Sequence, residues 1–189
     1  MAINLEKLTT GSSINLSKKD DTLTKVRATL YWKAPNYFPA FDLDVSAFVC
    51  RNTPNGPKLL TDEWFVFYNN EASPNGAVVK SPDEKESGSE TLDIEIPALP
   101  AEAEEISIIV TIHKADERAQ NFGQIEEAGI EISNAVTGDK ICFYDLDAEF
   151  KNETAVQVGS FFKDANGFSF QAVGAGYTLG LGDFVAGYQ

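Results

Sequence analysis

The sequence predicts an all-β chain, a two-sheet β-sandwich with one or two short helices. Three observations predict it. Apolar residues recur with a period of two in segment after segment, as in half-buried strands. About ten such segments follow one another at short spacing, separated by Gly, Pro, Asn, Asp and Ser, which favours stacked antiparallel sheets over a parallel one. Helical periodicity is confined to two short stretches.

The elements follow in order. In 23–33, Val26, Ala28, Leu30 and Trp32 share one face with Thr24, while Lys25, Arg27 and Lys33 share the other. Segments 43–50 and 64–68 are apolar on both faces, as central strands are. Leu92-Asp93-Ile94-Glu95-Ile96 alternates and is closed by Pro97 and Pro100. In 106–113, Ile106, Ile108, Val110 and Ile112 fall on one side. Segments 129–133 and 140–144 flank a hairpin-type connection, as do 154–162 and 168–173. Short helices are expected within 114–120 and 145–150. One domain is expected over 1–177, with a loosely held glycine-rich tail over 178–189.

The 189 residues carry 15 basic and 29 acidic side chains, a net charge of −14. That excess repels phosphate, and no basic stripe with interleaved aromatics is present, so nucleic acid is excluded as a partner. No apolar run nears the roughly 20 residues that a transmembrane helix requires, and no signal peptide is expected. Cys50 and Cys142 have no thiol-metal spacing and are expected to be reduced and at least partly buried, which suits the cytoplasm.

Acid is concentrated between 83 and 105, where nine carboxylates face Lys85 alone. Asp42 and Asp44 stand two apart. On one strand they would point the same way, roughly 7 Å apart, and repel unless a cation or donors intervene. Asn69 and Asn70 add neutral oxygens on a loop, although turn chemistry also accounts for them. The loop 81–90 is polar and acidic, without the spacing of an EF-hand. Calcium accepts such carboxylate, amide and carbonyl oxygens in loose geometry. A solvated acidic surface is the competing reading. His113, the only histidine, precedes Asp116 and Glu117, which raises acid–base chemistry. No nucleophile elbow, P-loop or HExxH pattern accompanies it, so no enzyme is expected.

Several segments, taken in order, resemble the TerD (tellurium-resistance, calcium-binding stress protein) family. They are Phe41-Asp42-Leu43-Asp44 with Ala47-Phe48, Phe65-Val66-Phe67-Tyr68-Asn69-Asn70 with Ser73-Pro74 and Gly76, and Ile112-His113-x-Ala115-Asp116 with Gln120-Asn121-Phe122-Gly123-Gln124. Tyr144-Asp145-Leu146 with Glu153-Thr154-Ala155, then Ala172-Val173-Gly174-x-Gly176-Tyr177, complete the match. The resemblance implies a cytoplasmic β-sandwich tied to tellurite or other stress, with calcium as its cofactor and other stress or tellurium-resistance proteins as partners. It also implies metal ligands at Asp42, Asp44, Asn69, Asn70, Asp83, Glu90 and Asp116. Pro82, Glu84 and the shortened Gly88-Ser89-Glu90 run depart from the family pattern and predict weaker calcium binding. The alternative is a metal-independent acidic module that faces a basic protein partner.

Overall fold

The computed structural model describes residues 5–34, 39–82, 88–146 and 150–189. Two sheets face one another. The first runs β1 (Glu6–Lys7), β11 (Lys140–Asp145), β10 (Glu127–Asn134), β3 (Lys25–Lys33), β8 (Ser89–Glu95), β7 (Val78–Lys80). The second runs β2 (Ser13–Asn15), β13 (Gly167–Tyr177), β12 (Ala155–Asp164), β9 (Glu105–Ile112), β4 (Leu43–Thr53), β5 (Gly56–Leu59), and β6 (Phe65–Val66) also pairs with β4. Among these pairings only β1 with β11 is parallel. The helices are short: α1 (Leu16–Lys19), α2 (Ala115–Arg118) and α3 (Leu181–Tyr188).

Alternation does what the sequence expects of it. Val26, Ala28 and Leu30 of β3 are buried, as are Leu92 and Ile94 of β8, and both sets join the main core between the sheets. β9 is different, because all eight of its residues are buried. Ile106, Ile108, Val110 and Ile112 face the inter-sheet core. Ile109 belongs to a second apolar cluster with Phe48, Cys50, Leu59 and Phe65.

That second cluster needs a cover, since an aromatic sheet face left in water is unfavourable. The glycine-rich end supplies it. Residues 181–188, expected as a loose tail, form α3, and Phe184 and Tyr188 are buried against the cluster. Tyr188 stacks on Phe48 with ring centroids 4.5 Å apart, and Phe48 stacks on Phe65 at 4.4 Å. The Asp183 carboxylate accepts from the Gly180 N–H (3.0 Å), which fixes the first turn. The four apolar positions Leu181, Phe184, Val185 and Tyr188 lie at helical spacing, a signal diluted by three glycines around them.

Other expectations shift in detail. Segment 64–68 is a strand only over Phe65–Val66. Asp145, expected to open a helix, ends β11, and residues 147–149 of that stretch lie outside the described residues. The helix expected within 114–120 is a single turn, Ala115–Arg118. Cys50 and Cys142 are free and buried, one in each apolar cluster, and burial pushes both thiols up to about 12.

Two glycines lock elements together. A Cβ on Gly123 would overlap the Lys151 carbonyl, and one on Gly174, which has φ +63°, would overlap the Tyr144 hydroxyl. On the first sheet, Arg27 donates twice to Asp93, at 2.7 and 2.8 Å, across β3 and β8. Burial acts to raise the Asp93 carboxyl, but Arg27 and Lys25 outweigh it and hold the group below its usual range. A carboxyl depressed in the folded state contributes stability above its unfolded pKa of about 3.9 and loses it as pH falls further. Asp93→Asn is therefore expected to lower stability at neutral pH and to flatten the dependence of stability on pH below about 4, measured by urea denaturation across pH.

Candidate functional site

Asp44 and Asp116, with His113, gather at the end of the sandwich where β4 begins and β9 ends. Asp44 pairs in register with Thr111, and the His113 N–H donates to the Asp42 carbonyl at 2.8 Å. Past His113 the backbone turns left-handed at Lys114 (φ 53°), makes the single turn of α2, and turns left-handed again at Ala119 (φ 50°). Such conformations cost about 1–2 kcal/mol for residues other than glycine. Here they are held by backbone bonds from Arg118 to Lys114 and from Gln120 to Ala115. This turn and the capping box of Asn121 and Gln124 give the 120–124 motif a part in shaping the loop.

A cavity of about 340 Å³ opens there. Asp44, Tyr68, His113, Asp116 and Glu117 line it, and Leu179 to Leu181, leading into α3, form part of its wall. Asp44 is 4% exposed, and its Oδ2 lies 3.7 Å from His113 Nδ1. The Tyr68 ring meets the imidazole edge-on, with centroids 6.3 Å apart. His113 thus faces Asp44 across the strand ends, where the sequence suggested Asp116 or Glu117. Phe67 and Asn70 exchange backbone bonds of 3.0 and 2.9 Å, a tight turn that puts Tyr68 and Asn69 at its tip.

Asp42 stands opposite His113 in the continued β4–β9 register, but it lines a smaller groove of about 180 Å³ with Arg118, so it and Asp44 do not line one cavity. The Gln120 amide donates to the carbonyl of Pro39, a residue of that groove, at 2.8 Å, and its own oxygen is buried with no partner among the described residues. Asn70 spends its amide N–H groups on the Phe65 and Glu63 carbonyls. Asp83 lies outside the described residues.

Glu90 is the largest departure. It is 3% exposed, inside the sandwich. Its Oε1 accepts from Lys80 Nζ at 2.5 Å, and its Oε2 accepts from the Val45 N–H at 2.7 Å. Lys80 is itself fully buried. The pairing joins β7, β8 and, across the core, β4 at the residue next to Asp44. The sequence did carry a signal for it. The inward face of β8 holds Leu92 and Ile94, and two positions earlier stands Glu90; on β7, Val78 and Lys80 share the buried face.

As ligands for a hard dication, these groups divide. Asp44 with Asp116 at the rim fits, being carboxylate oxygen around an open space. Glu90 does not, because an ammonium already sits against it. Among the described residues, no three His, Cys, Asp or Glu side chains are close enough to hold an ion on their own.

A family model for the TerD domain matches residues 1–188. The chain belongs to the TerD-domain family. Tellurium resistance protein TerD of Serratia marcescens is 36% identical over 193 residues, covering 100% of this chain and 97% of the relative. General stress protein 16U of Bacillus subtilis (strain 168) is 34% identical over 192 residues, with the same coverage. The crystal structure of a homologue of telluride resistance protein (TerD) from Streptomyces coelicolor A3(2) superposes with a TM-score of 0.68 at 20% identity, covering 86% of this chain and 95% of the other. The fold of this TerD-domain protein is thereby that of its relatives, and the family is one of tellurium resistance and stress response. No helix among its described residues is long and apolar enough to cross a membrane.

Breaking a buried ion pair by removing one partner strands the other charge, at a cost of about 3–5 kcal/mol. Lys80→Met is expected to show that loss in urea denaturation. Adding Glu90→Gln, which discharges the partner but keeps an acceptor for Val45, is expected to recover most of it, and a double-mutant cycle measures the coupling.

Proposed function

We propose that this TerD-domain protein is a calcium-dependent binding or scaffold module of the stress-response and tellurium-resistance kind, which performs no covalent catalysis. One observation carries the proposal: Asp44, a carboxylate 4% exposed, lines an open cavity that also bears Asp116 and Glu117. A dication held by Asp44 and Asp116, with Asn69 and Asp42 close in sequence to the cavity walls, would join the partners that Asp44 already has, His113 among them, and accepts carboxylate oxygens in irregular geometry. The ion's role is electrostatic: it neutralises the acidic end and fixes its loops for a partner, in this reading another stress or tellurium-resistance protein. The two buried free thiols suit a cytoplasmic setting.

A second reading has its own support. Lys80 neutralises Glu90, and Arg118 stands in the same groove as Asp42, so two of the ligands implied by the family resemblance have cations beside them already. On that reading the domain is an acidic interaction module that needs no metal.

Calorimetric titration with calcium, with magnesium as the control, separates the two. With calcium at a hundredfold above its Kd, binding adds about 2.7 kcal/mol. For a chain of this length, that raises Tm by about 5–10 °C over the chelator-treated protein. Asp44→Asn is expected to abolish both the heat and the shift. Equal melting curves with calcium and with chelator leave the metal-independent reading in place.

A further inference from the structure

A second cavity, of about 440 Å³, lies on the outer face of the second sheet, under α3. Its size falls in the range of small-molecule sites, which combine apolar walls with a few polar groups. Tyr177, Phe184 and Tyr188 form aromatic walls, with Tyr177 and Phe184 meeting edge-on at 5.0 Å. Glu105, Gln157, Asn55 and Asp183 supply the polar groups.

Glu105 is 9% exposed and accepts from Ser107 Oγ at 3.0 Å and from Ser160 Oγ at 2.7 Å. Both bonds fall on Oε1, so the carboxylate keeps acceptor capacity at Oε2. No Lys or Arg forms an ion pair with Glu105 among the described residues, and none lines the cavity, whereas Asp183 adds a second carboxylate to the lining. A buried carboxylate without a counter-ion, walled by aromatic rings, is complementary to one kind of ligand. An organic cation gains Coulomb attraction from the carboxylate and cation–π attraction from the ring faces. A bare metal ion would forgo the rings, and an anion would be repelled.

We propose that the cavity between β9 and α3 is a binding site for a small organic ammonium, with Glu105 as its counter-ion and Tyr177, Phe184 and Tyr188 as its aromatic cage. The site adjoins the Asp44 cavity at Leu179, which lines both, but its polar groups are its own and calcium has no part in it. Because α3 supplies two of the three rings, ligand binding also fastens the C-terminal helix to the sheet.

The test is an NMR titration of the full chain in excess chelator, with choline as the probe and its neutral isostere, carbon in place of nitrogen, as the control. Choline is expected to produce saturable amide shifts at Glu105, Tyr177, Phe184 and Tyr188, and the isostere to bind about tenfold more weakly or not at all. Glu105→Gln keeps the acceptor for both serines and is expected to lower choline affinity by about tenfold or more. Should that variant fail to fold, Tyr177→Leu, at a half-buried wall, decides instead, with an expected loss of about fivefold. No shifts at these residues, equal binding of the isostere, or undiminished affinity in whichever variant folds overturns the proposal.

Discussion

A buried carboxylate holds the two sheets in register at the acidic end. Glu90 reaches from β8 across the core to the Val45 N–H of β4, and Lys80 from β7 neutralises it there. An ammonium and a carboxylate deep in a core are tolerated only with such geometry and with their remaining polar capacity engaged. The pair therefore constrains everything around it. It sets where β4 starts relative to β7 and β8. It puts Asp44, the neighbour of Val45, at the floor of a cavity instead of on a solvated strand face. It also removes Glu90 from the carboxylates available to a metal.

What the sequence made legible follows from period two. Wherever a strand has one wet face, as in β3 and β8, alternation identified the strand and its core residues. Where both faces are dry, as in β4 and β9, the strands were still legible, β4 as a segment apolar on both faces, but what covers their outer side was not. Their outward residues, Phe48 of β4 and Ile109 of β9, share an apolar cluster with Phe184 and Tyr188 of α3, and nothing within those strands announces a helix arriving from far along the chain. Alternation also contained the Lys80–Glu90 pair, since both occupy inward positions of their strands. The pair was hidden because charged residues are ordinarily read as exposed, and because the partners lie on separate strands.

The candidate site was legible in part for a related reason. Asp44, Asp116 and His113 come together because β4 and β9 are antiparallel neighbours, and segments distant in sequence end at the same edge. Asp42 continues the β4–β9 register opposite His113, yet it lines a separate groove beside Arg118, which strand spacing alone does not reveal. The motifs most characteristic of the family prove largely architectural. Gly123 and Gly174 are places where backbone meets backbone or a tyrosine hydroxyl, with no room for a side chain. Those close approaches serve the fold, whereas the proposed calcium site draws on the few carboxylates near Asp44.

The proposed calcium site places a hard cation against Asp44 in the cavity walled by Tyr68, and one measurement addresses it at that spot. Terbium replaces calcium in oxygen sites and luminesces when an aromatic ring close to it absorbs light. Excitation of the tyrosine band is predicted to give terbium emission that calcium displaces, that Tyr68→Leu dims and that Asp44→Asn removes. Emission unchanged by both substitutions, or none at saturating terbium, would show that the acidic end holds no such ion.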